Sequence, residues 1–478
     1  MATSGWAKRI PVRVARLTLL AATIFGLAWA VLGVASALRI ATASISHTLC
    51  SQTFISRLNP DDVYAETVKP WPGLRLVSWA ARYHIDRVRQ AVVVTLAGVL
   101  KGRSEFKDGY GCIVVRDGES PIRDVPASEG QSAQELPVAL PDIAGPAAVE
   151  PAEEGLRTAL ARAFSEPEEP PYRRVKAIVI LHRGRVVAER YAPGYPIDTA
   201  LAGYSVTKSV MNALIGILVR EQRLSVADRA PVAAWSKADD PRHAITIDEL
   251  LRMTSGLALD EAEGFGAPDT VSRMLYGERD MAGFAEGARL KDDPGTRWSY
   301  SSGNSIILSR ILRDAVGGHA TDVIGFMQRE LFAPLGMRNV TFELDATATP
   351  VGSKGMFASA RDWARFGLLY LNDGVVGGRR ILPPGWVAYS SSPTLDTDYG
   401  AGFWTNAATN NAATGRIRGG MPPDAFYASG NLGQRVVIVP SMRLVVVRLG
   451  VSQDWPDFDM KGFVRLISDT IAALKRSP

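Results

Sequence analysis

The stretch KAIVILHRGRVVAERY, Lys176 to Tyr191, decides the fold. It reads as two strands joined at Arg183-Gly184, an antiparallel hairpin. Working outward, Gly203 to Arg220 predicts a helix. A long helix-and-loop stretch follows, including Thr246–Met253, Ser302–Val316 and Ser359–Asn372. Strand-like runs return near the end, at Ala401–Trp404, Ala425–Ala428, Gln434–Val439 and Arg443–Leu449, before an amphipathic helix over Phe458–Lys475. Strands at both ends with helices between predict an α+β fold. One sheet is built from the two ends, with a helical region inserted.

Upstream of the hairpin the texture changes. From about Gly118 to Pro151 the composition shifts to Pro, Ala, Glu, Ser and Asp, which reads as a linker. Before it a helix is predicted around Leu74 to Val99. The apolar tail Ala91–Leu100 is too short to span a membrane and belongs to a core or docking surface. Further back, Leu17 to Leu38 (LTLLAATIFGLAWAVLGVASAL) is an uncharged apolar run of 22 residues. A helix rises about 1.5 Å per residue, so this run reaches across a hydrocarbon core of roughly 30 Å.

Lys8, Arg9, Arg13 and Arg16 precede that run, while only Arg39 follows closely. The positive-inside rule then leaves the N-terminus in the cytoplasm and exports the remainder. The expected location is an inner membrane, with the body in the periplasm or outside the cell. The alternative is a cleaved signal peptide and a secreted protein, since Ala35-Ser36-Ala37 and Ala41-Thr42-Ala43 look like cleavage sites. The run is longer than a usual signal core, which favours the anchor. Four segments result. Residues 1–40 are a cytoplasmic stub with the anchor or signal peptide, 41–117 an N-terminal extracytoplasmic segment, 118–152 the linker and 153–478 the main domain.

Composition narrows the classes. With 46% hydrophobic residues and ten Trp, the 478-residue chain is globular and long enough for two or three domains. The net charge of +5 is spread along the chain, which argues against a nucleic-acid partner. His47, His84, His182, His243 and His319 lie far apart without zinc-type spacing, so no metal is expected. Cys50 and Cys112 both follow the apolar run. An oxidising compartment permits a disulfide between them, worth about 4 kcal/mol in the chain-entropy model. The alternative is two unrelated buried thiols.

Candidate chemistry centres on Gly203-Tyr204-Ser205-Val206-Thr207-Lys208. A serine with lysine three positions on is a weak pattern, and Ser104 to Lys107 repeats it. Ser104 sits among charges, however, whereas Ser205 opens a helix whose continuation SVMNALIGILV carries none. Val206, Val210, Leu214, Ile217 and Leu218 form one face of it, with Ser205, Lys208 and Asn212 opposite. Residues three apart on a helix are neighbours, so the amine reaches the hydroxyl. Apolar surroundings lower a lysine pKa, which suits a general base, and the helix start favours developing negative charge. The competing reading is a buried serine beside a lysine that reaches outward. A nucleophile elbow is disfavoured because Thr207 stands where glycine is needed.

Two further stretches fit the same chemistry. Tyr300 lies in Arg297-Trp298-Ser299-Tyr300-Ser301-Ser302-Gly303-Asn304, before an apolar helix. A phenol close to an ammonium is expected to have a lowered pKa and to shuttle protons. Tyr427-Ala428-Ser429-Gly430-Asn431-Leu432-Gly433-Gln434 leads into a strand, and its glycines permit close backbone approach to a ligand. For each, an ordinary structural loop or strand bend is the alternative.

In order, Ser205-Val206-Thr207-Lys208, Tyr300-Ser301-Ser302 and Ser429-Gly430-Asn431-Leu432-Gly433-Gln434 resemble the three motifs of the serine β-lactamase and penicillin-binding superfamily. The nearest look is to its class C-like esterase and 6-aminohexanoate-dimer hydrolase branch. Supporting matches are Leu250–Leu257, Pro334–Met337 and Ala360–Gly367, and the resemblance covers roughly Arg173 to the C-terminus. It implies a β-lactamase-like fold, an antiparallel sheet flanked by helices with a mostly helical inserted region, and the site between them. It makes Ser205 the nucleophile, Lys208 its base, Tyr300 the proton carrier, and the N–H groups of Ser205 and Asn431 the oxyanion hole. Ser302, Ser429 and Gly430 become substrate-binding positions, and no cofactor is implied. Ser302 replaces an asparagine of the class C pattern, and Ala428 replaces the lysine that begins the third motif. Both departures imply a small amide or ester substrate in preference to β-lactams. The runner-up readings are a cell-wall DD-peptidase or penicillin-binding protein, and a non-catalytic ligand-binding domain.

Overall fold

The computed structural model describes residues 12–71, 74–116, 142–259, 261, 270–455 and 457–476, with side chains of the first helix described from residue 33. That helix, α1 (Val12–Phe54), is 43 residues long. The expected membrane-crossing run falls within it, but the side chains of Leu17 to Leu32 lie outside the described residues. Among the described residues no helix is long and apolar enough to cross a membrane. The last third of α1 is buried at Ile40, Ala43, Ile45, Leu49 and Cys50. It lies against a four-stranded antiparallel meander, β1 (Ala81–Asp86), β2 (Ala91–Leu96), β3 (Leu100–Lys107) and β4 (Gly111–Val115).

This meander corrects the helix expected over Leu74–Val99. Val92, Val93, Val94 and Thr95 are β-branched and stiff at χ1, which favours a pleated strand. A short apolar run carries no period that separates buried strand from buried helix. Val92 and Val94 point into the interface with α1 and are fully buried. Gly102 on β3 lets helix and sheet touch, since a Cβ there would lie 2.5 Å from the Thr42 carbonyl carbon. A disulfide joins Cys50 on α1 to Cys112 on β4, with Cα atoms 6.1 Å apart.

The linker expected over 118–152 divides. Residues 117–141 lie outside the described set, but 142–152 are packed. Ile143 is buried, and its carbonyl accepts from Val186 N–H, while the Val149 carbonyl accepts from Glu189 N–H. Arg361 adds hydrogen bonds to the carbonyls of Gly145 and Ala147. A Pro/Ala/Glu composition reports the absence of a regular period. It does not report the unpaired backbone of an edge strand that such a segment can cover.

The main domain begins with α2 (Glu154–Phe164) and the hairpin β5 (Val175–His182) and β6 (Arg185–Tyr191). After the short β7 (Leu201–Ala202) the chain enters the helical region. Its elements include α3 (Val206–Arg220), α4 (Ile247–Leu251), α5 (Thr270–Gly277) and α6 (Ser302–Val316). β8 (Val340–Phe342) and β9 (Met356–Ala358) then pair with each other, β9 also pairs with β7, and α7 (Ala360–Leu371) follows. The chain returns to the large sheet through β10 (Trp404–Thr405), β11 (Phe426–Gly430), β12 (Gln434–Val439) and β13 (Leu444–Gly450). It ends in α8 (Met460–Arg476). The strand expected at Ala401–Trp404 shrinks to β10, because Gly402 takes φ +82 inside a turn closed by Gly400 N–H on the Phe403 carbonyl.

The six strands are antiparallel in the order β10-β11-β12-β13-β5-β6, so the two ends of the domain share one sheet. Alternation along β5, β12 and β13 splits their side chains between two cores. Ile178, Ile180, Val437 and Val446 meet Leu156 and Leu160 of α2 and Phe463 and Ile467 of α8. Val179, Leu181, Val436 and Val445 meet Val210 and Leu214 of α3 and Trp363 and Phe366 of α7. Burial on both faces is what these near-continuous apolar strands require.

Candidate active site

The site forms where β7 runs into α3. Gly203 donates its N–H to the Met356 carbonyl at 2.8 Å, continuing the β7–β9 pairing. Tyr204 then takes φ +46, turning the chain sharply, and Ser205 stands at the N-cap of α3 with its side chain partly exposed. Two glycines let this turn be crowded. A Cβ on Gly203 would lie 2.4 Å from the Trp363 ring, and one on Gly430 would lie 2.2 Å from the Gly203 carbonyl oxygen. The end of β11 therefore presses directly on the turn that carries Ser205.

One turn along α3, Lys208 is 3% exposed. Its Nζ lies 3.0 Å from Ser205 Oγ, 3.1 Å from Ser302 Oγ and 3.1 Å from the Ser353 carbonyl oxygen. Three neighbours match the three hydrogens of an ammonium. Burial lowers the Lys208 pKa below its ordinary value, opposed by the Glu261 carboxylate 4.0 Å away. Burial disfavours the charged form, so the amine is biased towards the neutral state a base needs. Asn212, one turn further, is spent on structure: its side chain bonds the Ala401 carbonyl, Tyr370, Trp386 and Ser390.

The Tyr300 phenol lies beside Ser205, but its pKa moves opposite to the expected direction. Burial raises it well above the ordinary phenol value, and Glu261 adds to the rise. The lysine does not reverse this, because Nζ sits over the ring, 4.7 Å from its centroid. A cation there meets the π-face. Tyr300 is accordingly a neutral phenol. Trp404 stacks on it with centroids 5.9 Å apart, and Trp298 and Tyr399 complete an aromatic wall.

The remaining expected residues separate. The Ser302 hydroxyl is engaged on Lys208, a different task from the substrate contact expected of it. Ser429 is half-buried on β11 opposite Arg435, and Gly430 pairs with Gln434. Asn431 ends the strand; its side-chain oxygen accepts from Leu432 N–H at 2.9 Å, and its carbonyl accepts from Gln434 Nε2 at 3.1 Å. Both bonds stiffen the bend that follows Gly430. Sequence reasoning missed Ser353, Glu261, Trp404 and Tyr399. A backbone acceptor such as the Ser353 carbonyl has no residue signature. Arg435 is a charge set in an apolar strand, a visible signal; Nη1 donates to the carbonyls of Gly430 and Gln434 at 2.9 and 2.8 Å. Among the described residues no group of three or more His, Cys, Asp or Glu is placed to hold a metal ion.

A serine, a buried amine and a neutral phenol meet beside a helix start, with a glycine-bearing strand end against them. The Beta-lactamase family profile matches residues 170–467, more than half of the chain. The chain belongs to the β-lactamase family. The 6-aminohexanoate-dimer hydrolase of Paenarthrobacter ureafaciens is 27% identical over 324 residues, covering 63% of this chain and 78% of the relative. Among solved structures, a penicillin-binding protein homologue from Caulobacter crescentus superposes with a TM-score of 0.54 at 19% identity, covering 68% of this chain and 99% of that one. A family VIII carboxylesterase gives 0.54 at 16% identity, covering 68% and 99%. This β-lactamase-family protein is thus a hydrolase of that fold, related to the dimer hydrolase. Residues before 170 stand outside the family match.

Proposed function

We propose that this hydrolase cleaves a small amide or ester through an acyl-enzyme on Ser205, with Lys208 as general base. The observation that carries the reading is the buried Lys208 amine 3.0 Å from Ser205 Oγ. The neutral amine takes the hydroxyl proton as Oγ attacks the substrate carbonyl. The oxyanion is met by the N–H groups of Ser205 and Asn431, at a helix start and a strand end that Gly430 brings together. Tyr300, a neutral phenol beside Ser205, passes a proton to the leaving nitrogen or oxygen and is restored by the lysine. Water then attacks the acyl-enzyme by the same route in reverse.

Substrate preference follows from what surrounds Ser429. Ala428 is fully buried on β11, and the Arg435 Nη1 is committed to backbone carbonyls. Trp298, Tyr300 and Trp404, largely buried with part of each side chain exposed, supply an apolar wall. Uncharged acyl groups therefore fit better than the carboxylate of a penicillin or cephalosporin. We also propose that Leu17–Leu38 anchors the protein in the membrane with the catalytic domain exported, or is cleaved to release it.

The test is a panel of p-nitrophenyl butyrate, linear amides and nitrocefin, together with fluorophosphonate labelling. Esters or amides are expected to be hydrolysed at least about tenfold more efficiently than nitrocefin, a difference of about 1.4 kcal/mol in barrier. Labelling should fall on the peptide containing Ser205 and vanish in Ser205→Ala. Labelling that survives Ser205→Ala, or efficient nitrocefin turnover, overturns the corresponding part.

A further inference from the structure

The unit formed by residues 40–116 lies outside the family match, and its contacts with α1 fix which of its ends faces the proposed anchor. A Cβ on Gly102 would lie 2.5 Å from the Thr42 carbonyl carbon, and Ser104 Oγ lies 2.9 Å from Ser46 Oγ. Cys112, opposite Phe106 on β3, is bonded to Cys50. Helix and strand therefore advance together, four helical residues rising about 6 Å and two strand residues about 6.6 Å. Followed backwards, both lead to the β2–β3 turn, on the side from which Leu17–Leu38 arrives. Val99 stands about 10 Å before Gly102 and Leu38 about 6 Å before Thr42, so Val99 lies about 4 Å beyond Leu38, level with the apolar run itself.

That end of the unit is apolar and basic. Leu76, Trp79 and Val99 are 67%, 77% and 84% exposed. They share one edge, because Ala97 donates its N–H to the Ala80 carbonyl at 3.2 Å and Ala81 pairs with Leu96. Large apolar side chains gathered in the open on one edge mark a contact surface. Around them Arg39, Arg75, Arg82 and Lys101 are exposed, and the stretches Val34–Ala43, Leu74–Arg82 and Leu96–Lys101 contain no Asp or Glu. Arg82 Nη1 donates to the Trp79 and Ala81 carbonyls at 3.1 and 3.0 Å, which fixes the backbone that carries the indole. At the other end of the meander the exposed Val88 is flanked by Asp86, Arg87 and Arg89.

We propose that this edge seats in the surface of the bilayer that Leu17–Leu38 enters, with Leu76, Trp79 and Val99 at the boundary of headgroups and acyl chains and the basic side chains on anionic headgroups. The inference rests on the reading of that run as a membrane-inserted segment. Tryptophan favours this boundary because its ring is apolar and its N–H polar, and Arg and Lys stems lie along apolar surface with their charges among the headgroups. The catalytic domain is carried with the edge. Glu343, just after β8, accepts from Ser51 Oγ at 2.6 Å and from Cys112 N–H at 3.2 Å, with His47 Nε2 3.6 Å away. The disulfide-bonded unit is thus fastened to the domain that bears Ser205. Seating the edge fixes the tilt of the active site over the membrane, which a single spanning helix leaves free.

The experiment uses the full chain reconstituted in vesicles of phosphatidylethanolamine and phosphatidylglycerol. Val99→Cys, Leu76→Cys and, at the other end, Val88→Cys each receive an environment-sensitive fluorophore. Cys50 and Cys112 are buried and paired, so only the new thiol reacts. At Val99 and Leu76 the emission should shift to the blue, and a nitroxide near the top of the lipid acyl chain should quench it at least about threefold more than at Val88. Aqueous iodide should show the opposite order. Adding Arg75→Glu and Lys101→Glu to Val99→Cys should weaken the nitroxide quenching, with thermal melting and hydrolysis of p-nitrophenyl butyrate unchanged. Unchanged quenching there removes anionic headgroups from the proposal. Equal iodide quenching at all three positions, in protein that floats with the vesicles, overturns the seating and leaves the anchor standing. Protein that does not float overturns anchor and seating together. Shielding from both quenchers puts a protein surface, a partner or a second copy, on the edge and also overturns the proposal.

Discussion

Lys208 serves as a base only without its proton, and two neighbours pull its equilibrium in opposite directions. Burial lowers the pKa from the ordinary 10.5, and Glu261 pushes it partway back. Activity should therefore be present well below pH 10.5 and be lost as pH falls through the lowered value. Glu261→Gln removes the opposing charge, so its activity should persist to lower pH than that of the wild type. Lys208→Ala should retain the fold and lose on the order of a hundredfold or more in kcat. Lys208→Arg should do no better, since a guanidinium stays protonated. The pH dependence of kcat/KM across the three variants checks this. A fully active Lys208→Arg protein would place the base elsewhere. Tyr300 belongs to the same set, because a phenol held neutral at every working pH donates and accepts without adding a limb of its own to that profile.

Where α1, β4 and the end of β8 meet, two buried groups carry opposite pH dependences. Burial pushes Glu343 up from 4.5 to about 7 and His47 down from 6.5 to about 3. The folded state holds the Glu343 proton more tightly than the unfolded chain, so this group's contribution is complete below pH 4.5 and is lost as pH rises through about 7. The folded state keeps His47 neutral, so stability gained from it rises with pH between about 3 and 6.5. Above pH 6.5 only the glutamate term still changes. Glu343→Gln should then melt less steeply lower on going from pH 6.5 to 8, with the wild type losing about 2 °C or more relative to it. Thermal melts at the two pH values check this, and parallel shifts in both proteins would remove the assigned role. None of this contact is legible in the sequence, because Glu343 lies 231 positions from Cys112 and 292 from Ser51. The hairpin Lys176–Tyr191 and the helix after Gly203 are legible because their signals are local: a turn pair between apolar runs, and an uncharged helical continuation. The meander β1–β4 is not, because a short valine-rich run has no distinguishing period. The direction of the Tyr300 shift fails for a related reason, since burial of the phenol is a tertiary property and a motif shows only its neighbours.

At the scale of the whole molecule, one helix runs from the proposed anchor to Gln52, in the cleft that Tyr204 also lines just before Ser205. Fourteen residues separate Leu38 from Gln52, a rise of about 21 Å if the helix runs straight. No flexible joint lies between them, because α1 is continuous from Val12 to Phe54 and its last third is buried against β2 and β3. An anchored protein would therefore hold its site within roughly 20–25 Å of the membrane surface and in a fixed orientation. The Cys50–Cys112 disulfide fits an exported location, where thiols oxidise and stay paired. The expected outcome is that alkaline phosphatase fused after Pro478 is active in intact cells, and that carbonate washing leaves the fusion in the membrane pellet at full mass. Cleavage after Ala37 or Ala43 would instead give a soluble, shorter product. The two sites differ in their effect on α1: a cut after Ala43 would remove Ile40 and Ala43 from the buried interface, while a cut after Ala37 would keep it whole. Mass spectrometry of the N-terminal peptide distinguishes them. A reporter that is inactive outside the cytoplasmic membrane would reverse the orientation assigned by the basic residues before Leu17.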